Sequence, residues 1–306
     1  MLFSGGPTKR VSRRLLIAAL LCAALCASLS GCAGAARPDA AGPRPGEPAY
    51  PLLLTDDPNR RETVLAAWTT LMREGGATAN LPAPELNPVT ASVRSLPQGA
   101  SQFLLLPKVG TGATMNEEET RESLRRFIAA EGRLLGADPQ QLSLELRTDE
   151  ADGTKKARYL QHPFRRPLRN GYGVLEISFT PDRRITQIYS TCIPDAERLR
   201  ATVAGQRRTP PSAEDVAKRL AGRTFTYTDA SGQARSVTLG AVSEISINEA
   251  VVYPRPRAGD PQTLELHLAW EISLGAGPTA RIIYMDAVND ELLGVEEQTG
   301  QRKEAG

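Results

Sequence analysis

A helix followed by a run of strands occurs twice in this 306-residue chain, and that repetition constrains the fold more than any other feature. Asn116 offers an N-cap, and Glu117, Glu118 and Glu119 put negative charge in the first turn, where it complements the helix dipole. Leu124, Phe127, Ile128, Leu134 and Leu135 recur at helical spacing, so a helix over Glu117 to Leu135 has one apolar face, ended by Gly136 and Pro139. Four strand-like segments follow: Leu142 to Arg147, Lys156 to His162, Gly173 to Thr180 and Arg184 to Cys192. The order then repeats. Ser212 precedes a helix over Ala213 to Ala221, and strands are expected near Arg235 to Leu239, Ser243 to Tyr253, Gln262 to Leu274, Ala280 to Asp286 and Glu291 to Gln298. One helix followed by an antiparallel run of strands is an α+β pattern, and its recurrence predicts two related modules. Arg198 to Pro211, with a basic pair and two Pro, reads as the linker between them.

Upstream, Asp57-Pro58 offers an N-cap with Pro at the first helical position. Val64, Leu65, Trp68, Leu71 and Met72 then recur at helical spacing until Gly75-Gly76. Five Pro break the stretch from Leu81 to Pro107, leaving Val89 to Leu96 and Phe103 to Leu106 as short extended candidates. Residues 33 to 51 interleave Pro38, Pro43, Pro45, Pro48 and Pro51 with Ala and Gly and read as a tether.

The N-terminus is an address. Lys9, Arg10, Arg13 and Arg14 precede the apolar run Leu15 to Leu29, whose 15 residues span about 22 Å as a helix, short of the ~30 Å hydrocarbon core. This is a signal-peptide layout rather than a membrane span. At its end Leu29-Ser30-Gly31-Cys32 resembles the bacterial lipobox at all four positions. The resemblance implies cleavage before Cys32, acyl chains on Cys32 as lipid attachment, and a stable membrane anchor in the cell envelope. Ala33 after the Cys implies the periplasmic face of the outer membrane in a cell that has one. The mature chain then has 275 residues, with 33 basic and 35 acidic side chains in place of the precursor's 37 and 35. Cys22 and Cys26 leave with the leader, so Cys192 has no intramolecular disulfide partner. Beside Ile193 it reads as a buried packing residue, with intermolecular pairing as the alternative.

The organisation is therefore a leader over residues 1–31, a tether over 32–54, an N-terminal helix with short strands over 55–112, and modules over 113–197 and 210–300. Within the first module, Arg158 to His162, Pro167 to Gly173, Val174 to Phe179 and Thr180 to Ile185 resemble the propeptide module of fungalysin and thermolysin precursors. Leu168 and Gly171 stand further apart than in that pattern, and Asp182-Arg183 replaces its usual turn Gly. Within the second, Leu268 to Ser273, Arg281 to Ala287 and Glu291 to Val295 resemble a PepSY domain, matching best at Trp270, Tyr284, Asp286 and Ala287. Asn289-Asp290 stands where that pattern has a turn Gly. The resemblances imply modules that are cystatin-like in outline, a helix held against a curved antiparallel sheet. In such precursors they form a prodomain that assists folding of a zinc peptidase and inhibits it.

Composition narrows the function classes. The precursor's charges nearly balance, which argues against nucleic-acid binding. Only two His are present, His162 and His267, too far apart in sequence for an HExxH zinc motif. His162 precedes Pro163 at a strand end, and His267 alternates with Leu266 and Leu268, so both read as solvated or hydrogen-bonded strand residues. The acidic pairs Asp56-Asp57, Glu214-Asp215 and Glu296-Glu297 fall at turns, caps or chain ends, and no Gly-rich phosphate loop is present. No catalytic, cofactor-binding or metal-ligating residue is assigned. The expectation is a monomeric, non-catalytic, lipid-anchored protein, prodomain-like, binding and inhibiting or helping to fold a secreted or envelope metallopeptidase through exposed sheet edges or the polar tail Glu296 to Gly306. The alternative is an envelope scaffold or small-ligand carrier.

Overall fold

A computed structural model describes residues 50–78, 82–112, 114–151, 153–204, 209–228, 234–238, 244–275 and 281–297. The leader, Cys32, the tether to residue 49 and the tail beyond Glu297 lie outside the described residues. In chain order the first half holds β1 (Leu52–Thr55), α1 (Pro58–Glu74), β2 (Glu85–Leu86), β3 (Val93–Ser95), α2 (Glu117–Ala130), α3 (Gly132–Leu135), β4 (Leu142–Asp149), β5 (Lys155–Gln161), β6 (Val174–Phe179) and β7 (Ile185–Ser190). The second half holds α4 (Arg198–Val203), α5 (Ala213–Leu220), β8 (Thr224–Thr228), β9 (Ala234–Thr238), β10 (Ile245–Arg257), β11 (Asp260–Leu274), β12 (Arg281–Asp286) and β13 (Leu292–Glu297).

The helices start where their caps predict. The Asp57 carboxylate accepts the Asn59 N–H ahead of Pro58 in α1. At α2 the Asn116 side chain accepts the Glu119 N–H at 2.9 Å while Glu119 accepts the Asn116 N–H at 2.9 Å, a reciprocal capping box. The single helix expected over Glu117 to Leu135 is interrupted at Glu131 (φ −102°, ψ 17°), and the one-turn α3 resumes it from Gly132, a poor helix former. All five expected core residues, Leu124, Phe127, Ile128, Leu134 and Leu135, are buried.

β4, β5, β6 and β7 form an antiparallel meander in that order. Ala157, Tyr159, Leu175, Ile177, Phe179, Ile185 and Ile188 turn inward from it to meet α2 and α3. Val64, Trp68 and Met72 of α1 and Val93 of β3 join the same core. The boundary expected between 112 and 113 is therefore not a packing boundary, because a helix with an apolar stripe needs a partner surface and finds it in the first module. Phe103 to Leu106, expected as a strand, makes one bridge, Leu105 opposite Arg184. The Ile185 N–H donates to the Leu104 carbonyl at 2.9 Å and the Leu106 N–H to the Arg183 carbonyl at 2.8 Å, so this segment covers the start of β7.

The second sheet is built on β11. β10 pairs with it along one side, while β1 and β12 share the other, β1 opposite Thr263 to Leu266 and β12 opposite Ala269 to Leu274. β13 follows β12, and β8 with β9 makes a separate hairpin. Val216 and Leu220 of α5 pack on Ile272, Leu274, Ile283, Met285 and Val295. Each module is thus a helix on an antiparallel sheet, an α+β fold that is cystatin-like in outline.

Two expectations are corrected. The tether does not run to residue 54: Leu52 and Leu54 are buried against Leu264 and Leu266, because β11 leaves half of one edge open and a short apolar segment closes it. Nor is Arg198 to Pro211 only a linker: Arg198–Val203 is helical and Leu199 is fully buried in the same cluster as Leu52 and Leu54. If β1 is an integral strand, Leu54→Ala should cost about 2–5 kcal/mol, the range for a buried leucine. An unchanged urea midpoint would place β1 outside the folded unit.

Candidate functional site

The two modules meet through the loop between β5 and β6. Its residues hydrogen-bond to the outer edge of β10, with the Val252 N–H donating to the Pro167 carbonyl at 2.9 Å and the Arg169 N–H to the Val252 carbonyl at 3.0 Å. Successive residues on an extended segment point to opposite faces. Leu168 accordingly enters the apolar junction with Leu52, Ile193, Leu199, Val252 and Leu266, while Arg169 crosses the opposite face of the sheet. There its Nε donates to Glu271 at 2.6 Å and its second guanidinium nitrogen to Glu249 at 2.8 Å. Glu271 is 1% exposed and also accepts from Asn248 at 3.2 Å. Burial by itself weakens the hold of Arg169 on its proton, but the hydrogen bond and charge of Glu271 outweigh it and the pKa rises.

Beside this pair on the same face lies a second polar network. His267 is 1% exposed; its Nδ1 stands 2.7 Å from Asp286 and its Nε2 3.2 Å from Glu265. Tyr50 donates to Asp286 at 2.9 Å, accepts the Leu268 N–H at 3.0 Å, and sets its ring edge-on to the imidazole at 5.9 Å. Asp286 also takes the Val288 and Asn289 N–H groups at 2.7 and 3.0 Å, which shapes the turn into β13 without the glycine of the PepSY pattern. Burial raises the Glu265 pKa, yet hydrogen bonds from Arg255 and His267 reverse the shift and lower it overall. A Ser/His/Asp relay needs a hydroxyl on the ring nitrogen opposite the carboxylate. Here that nitrogen faces Glu265 instead, so the arrangement orients and locks the sheet face rather than activating a nucleophile.

His267 therefore faces away from Leu266, as its alternation on the strand predicts. His162 sits apart, with Nδ1 3.1 Å from the Leu160 carbonyl. Cys192 is buried in the first core, and burial pushes its thiol up to about 12. Among the described residues no group of three or more His, Cys, Asp or Glu side chains is placed to hold a metal ion. Arg169 and Glu271, which join the modules, carry no sequence signal of that role, because they lie 102 positions apart in the chain.

Among the described residues β4 is an edge strand that carries exposed apolar side chains. It pairs only with β5, and Leu144 and Leu146 on it are 38% and 54% exposed. Beside it Ile128, Pro139, Leu142, Leu144 and Tyr159 line a cavity of about 410 Å³ with Arg121 and Arg125 in its wall.

No family model matches this chain, and no curated protein matches it either. Among solved structures the chain is similar to the Bacillus megaterium YpeB C-terminal domain, at 8% identity and a TM-score of 0.29, over 80% of this chain and 98% of that one. Similarity at that level assigns neither a family nor a function.

The Arg169–Glu271 pair generates a double-mutant test. Arg169→Ala leaves a buried carboxylate without its main counter-charge and should cost about 3–5 kcal/mol. Replacing both residues with Met should recover most of that loss, read from urea unfolding. Equal and additive losses would show that the two charges do not depend on each other.

Proposed function

We propose that this chain is a non-catalytic, lipid-anchored protein of the cell envelope, prodomain-like, that binds a peptidase by taking an extended segment of it along the open edge of β4. The observation that carries this reading is an unpaired strand edge with two exposed leucines beside an apolar cavity. Exposed edges of this kind are normally covered or charged, and strand addition is a common way of recognising an extended peptide. Backbone hydrogen bonds would supply affinity, and a side chain entering the cavity would supply selectivity. The propeptide-like and PepSY-like motifs make a peptidase the partner class. An envelope small-ligand carrier is the second reading, favoured by an arginine-lined cavity at the module junction.

Inhibition of secreted zinc metallopeptidases by the full chain tests the proposal. Leu144→Asp with Leu146→Asp should abolish inhibition while leaving the circular dichroism unchanged, and deleting the tail from Gln298 should separate any contribution of that segment. No inhibition and no peptidase recovered on immobilised protein would refute it.

Attachment to the membrane through Cys32 is part of the same proposal. Among the described residues no helix is long and apolar enough to cross a membrane. Cys32→Ser should therefore abolish incorporation of labelled palmitate and move the protein from the membrane fraction to the soluble one. Unaltered labelling would locate the acyl group elsewhere.

A further inference from the structure

Where the two modules join, a second cavity of about 580 Å³ opens on the helix-covered side of the second sheet. Arg165 and Arg166 reach it from the first module, Arg200 from α4, and Leu268 and Trp270 from β11, with Phe164 at its wall. Among the described residues no carboxylate lines it. Among the described residues Arg165 and Arg200 have no acidic partner, and Arg166 makes one long contact, 3.5 Å to the Ala250 carbonyl. By contrast, Arg169 and Arg255 at other places on the second sheet each hold two carboxylates. All three arginines of the cavity are exposed, and a guanidinium keeps its proton at ordinary pH, so this wall of the cavity stays positively charged.

The backbone that presents them is strained. Phe164 and Arg165 are consecutive non-glycine residues at positive φ, 39° and 63°, a conformation that side chains disfavour. It is held from several sides. Glu197 accepts the Phe164 N–H at 2.5 Å, and the Arg166 N–H donates to the Pro163 carbonyl at 2.8 Å. Glu197, the one carboxylate that touches this loop's backbone, is thereby directed onto an N–H group and is not among the cavity's lining residues.

We infer that this cavity is a binding site for a small amphipathic anion, with a carboxylate or phosphate head held by Arg165, Arg166 and Arg200 and an aromatic or apolar body against Trp270. Guanidinium groups match both head groups in bidentate geometry, and an indole face accepts a flat apolar body. The volume falls in the range of small-molecule sites. The inference does not depend on peptidase binding at β4.

Calorimetric titration of the full chain tests it with four probes: phenyl phosphate, benzoate, inorganic phosphate and benzyl alcohol. Phenyl phosphate or benzoate should bind saturably, more tightly than inorganic phosphate or benzyl alcohol, and more weakly as salt is raised. Arg165→Gln and Arg200→Gln should each weaken that binding about tenfold or more. Arg73→Gln on α1 should leave it unchanged, with circular dichroism confirming that every variant is folded. No saturable binding of either aromatic anion, or binding indifferent to both cavity arginines, overturns the inference.

Discussion

The buried Glu271 carboxylate is the constraint on which the arrangement of the two modules rests. A carboxylate taken out of water costs several kcal/mol unless its charge is matched. Its main match, Arg169, comes from the other module, on a loop whose backbone is hydrogen-bonded to β10. Separating the modules would uncover that carboxylate, break the backbone pairing of Pro167 and Arg169 with Val252, and expose Leu168, Ile193 and Leu199 together. Polar and apolar contributions act on opposite faces of one sheet through adjacent residues, so neither can be released without disturbing the other.

The same contacts determine which surfaces remain open. The loop at Leu168 occupies the outer edge of β10, β1 and β12 share one edge of β11, and the Leu104 to Leu106 segment covers the start of β7. Among the described residues β4 has no such cover on its outer edge. The arginine-lined cavity has a related origin, since α4 and the strained Phe164-Arg165 turn are both brought against β11 by the junction.

Much of the secondary structure was legible because its signals are local. Asp57, Asn116 and Ser212 each cap the helix that their spacing announces, and the meander over β4 to β7 follows from alternation bounded by turn residues. What was missed needed distant partners. Leu52–Thr55 is four residues beside a proline-rich stretch and becomes a strand only because β11 has an open edge. Arg198–Val203 has no side-chain cap and is stabilised by the burial of Leu199. For the sites, alternation correctly turned His267 away from Leu266 but could not reveal Asp286, Tyr50 or Glu265 around it. The arginines of the second cavity lay in the sequence as basic residues whose common direction required the junction.

The pairing of β1 with β11 has a consequence for how such a chain is made. Tyr50 and the Leu268 backbone it contacts are 218 positions apart, so a strand synthesised early must wait for one synthesised late. The first module can assemble its own core meanwhile, because its helices and meander lie close together in sequence. Closure of the second sheet instead waits for β11: a product cut short before Thr263 leaves β1 unpaired, with Leu52 and Leu54 exposed. An unfinished chain would thus display apolar residues at its N-terminal end, where a quality-control protease or chaperone can distinguish it from the finished protein.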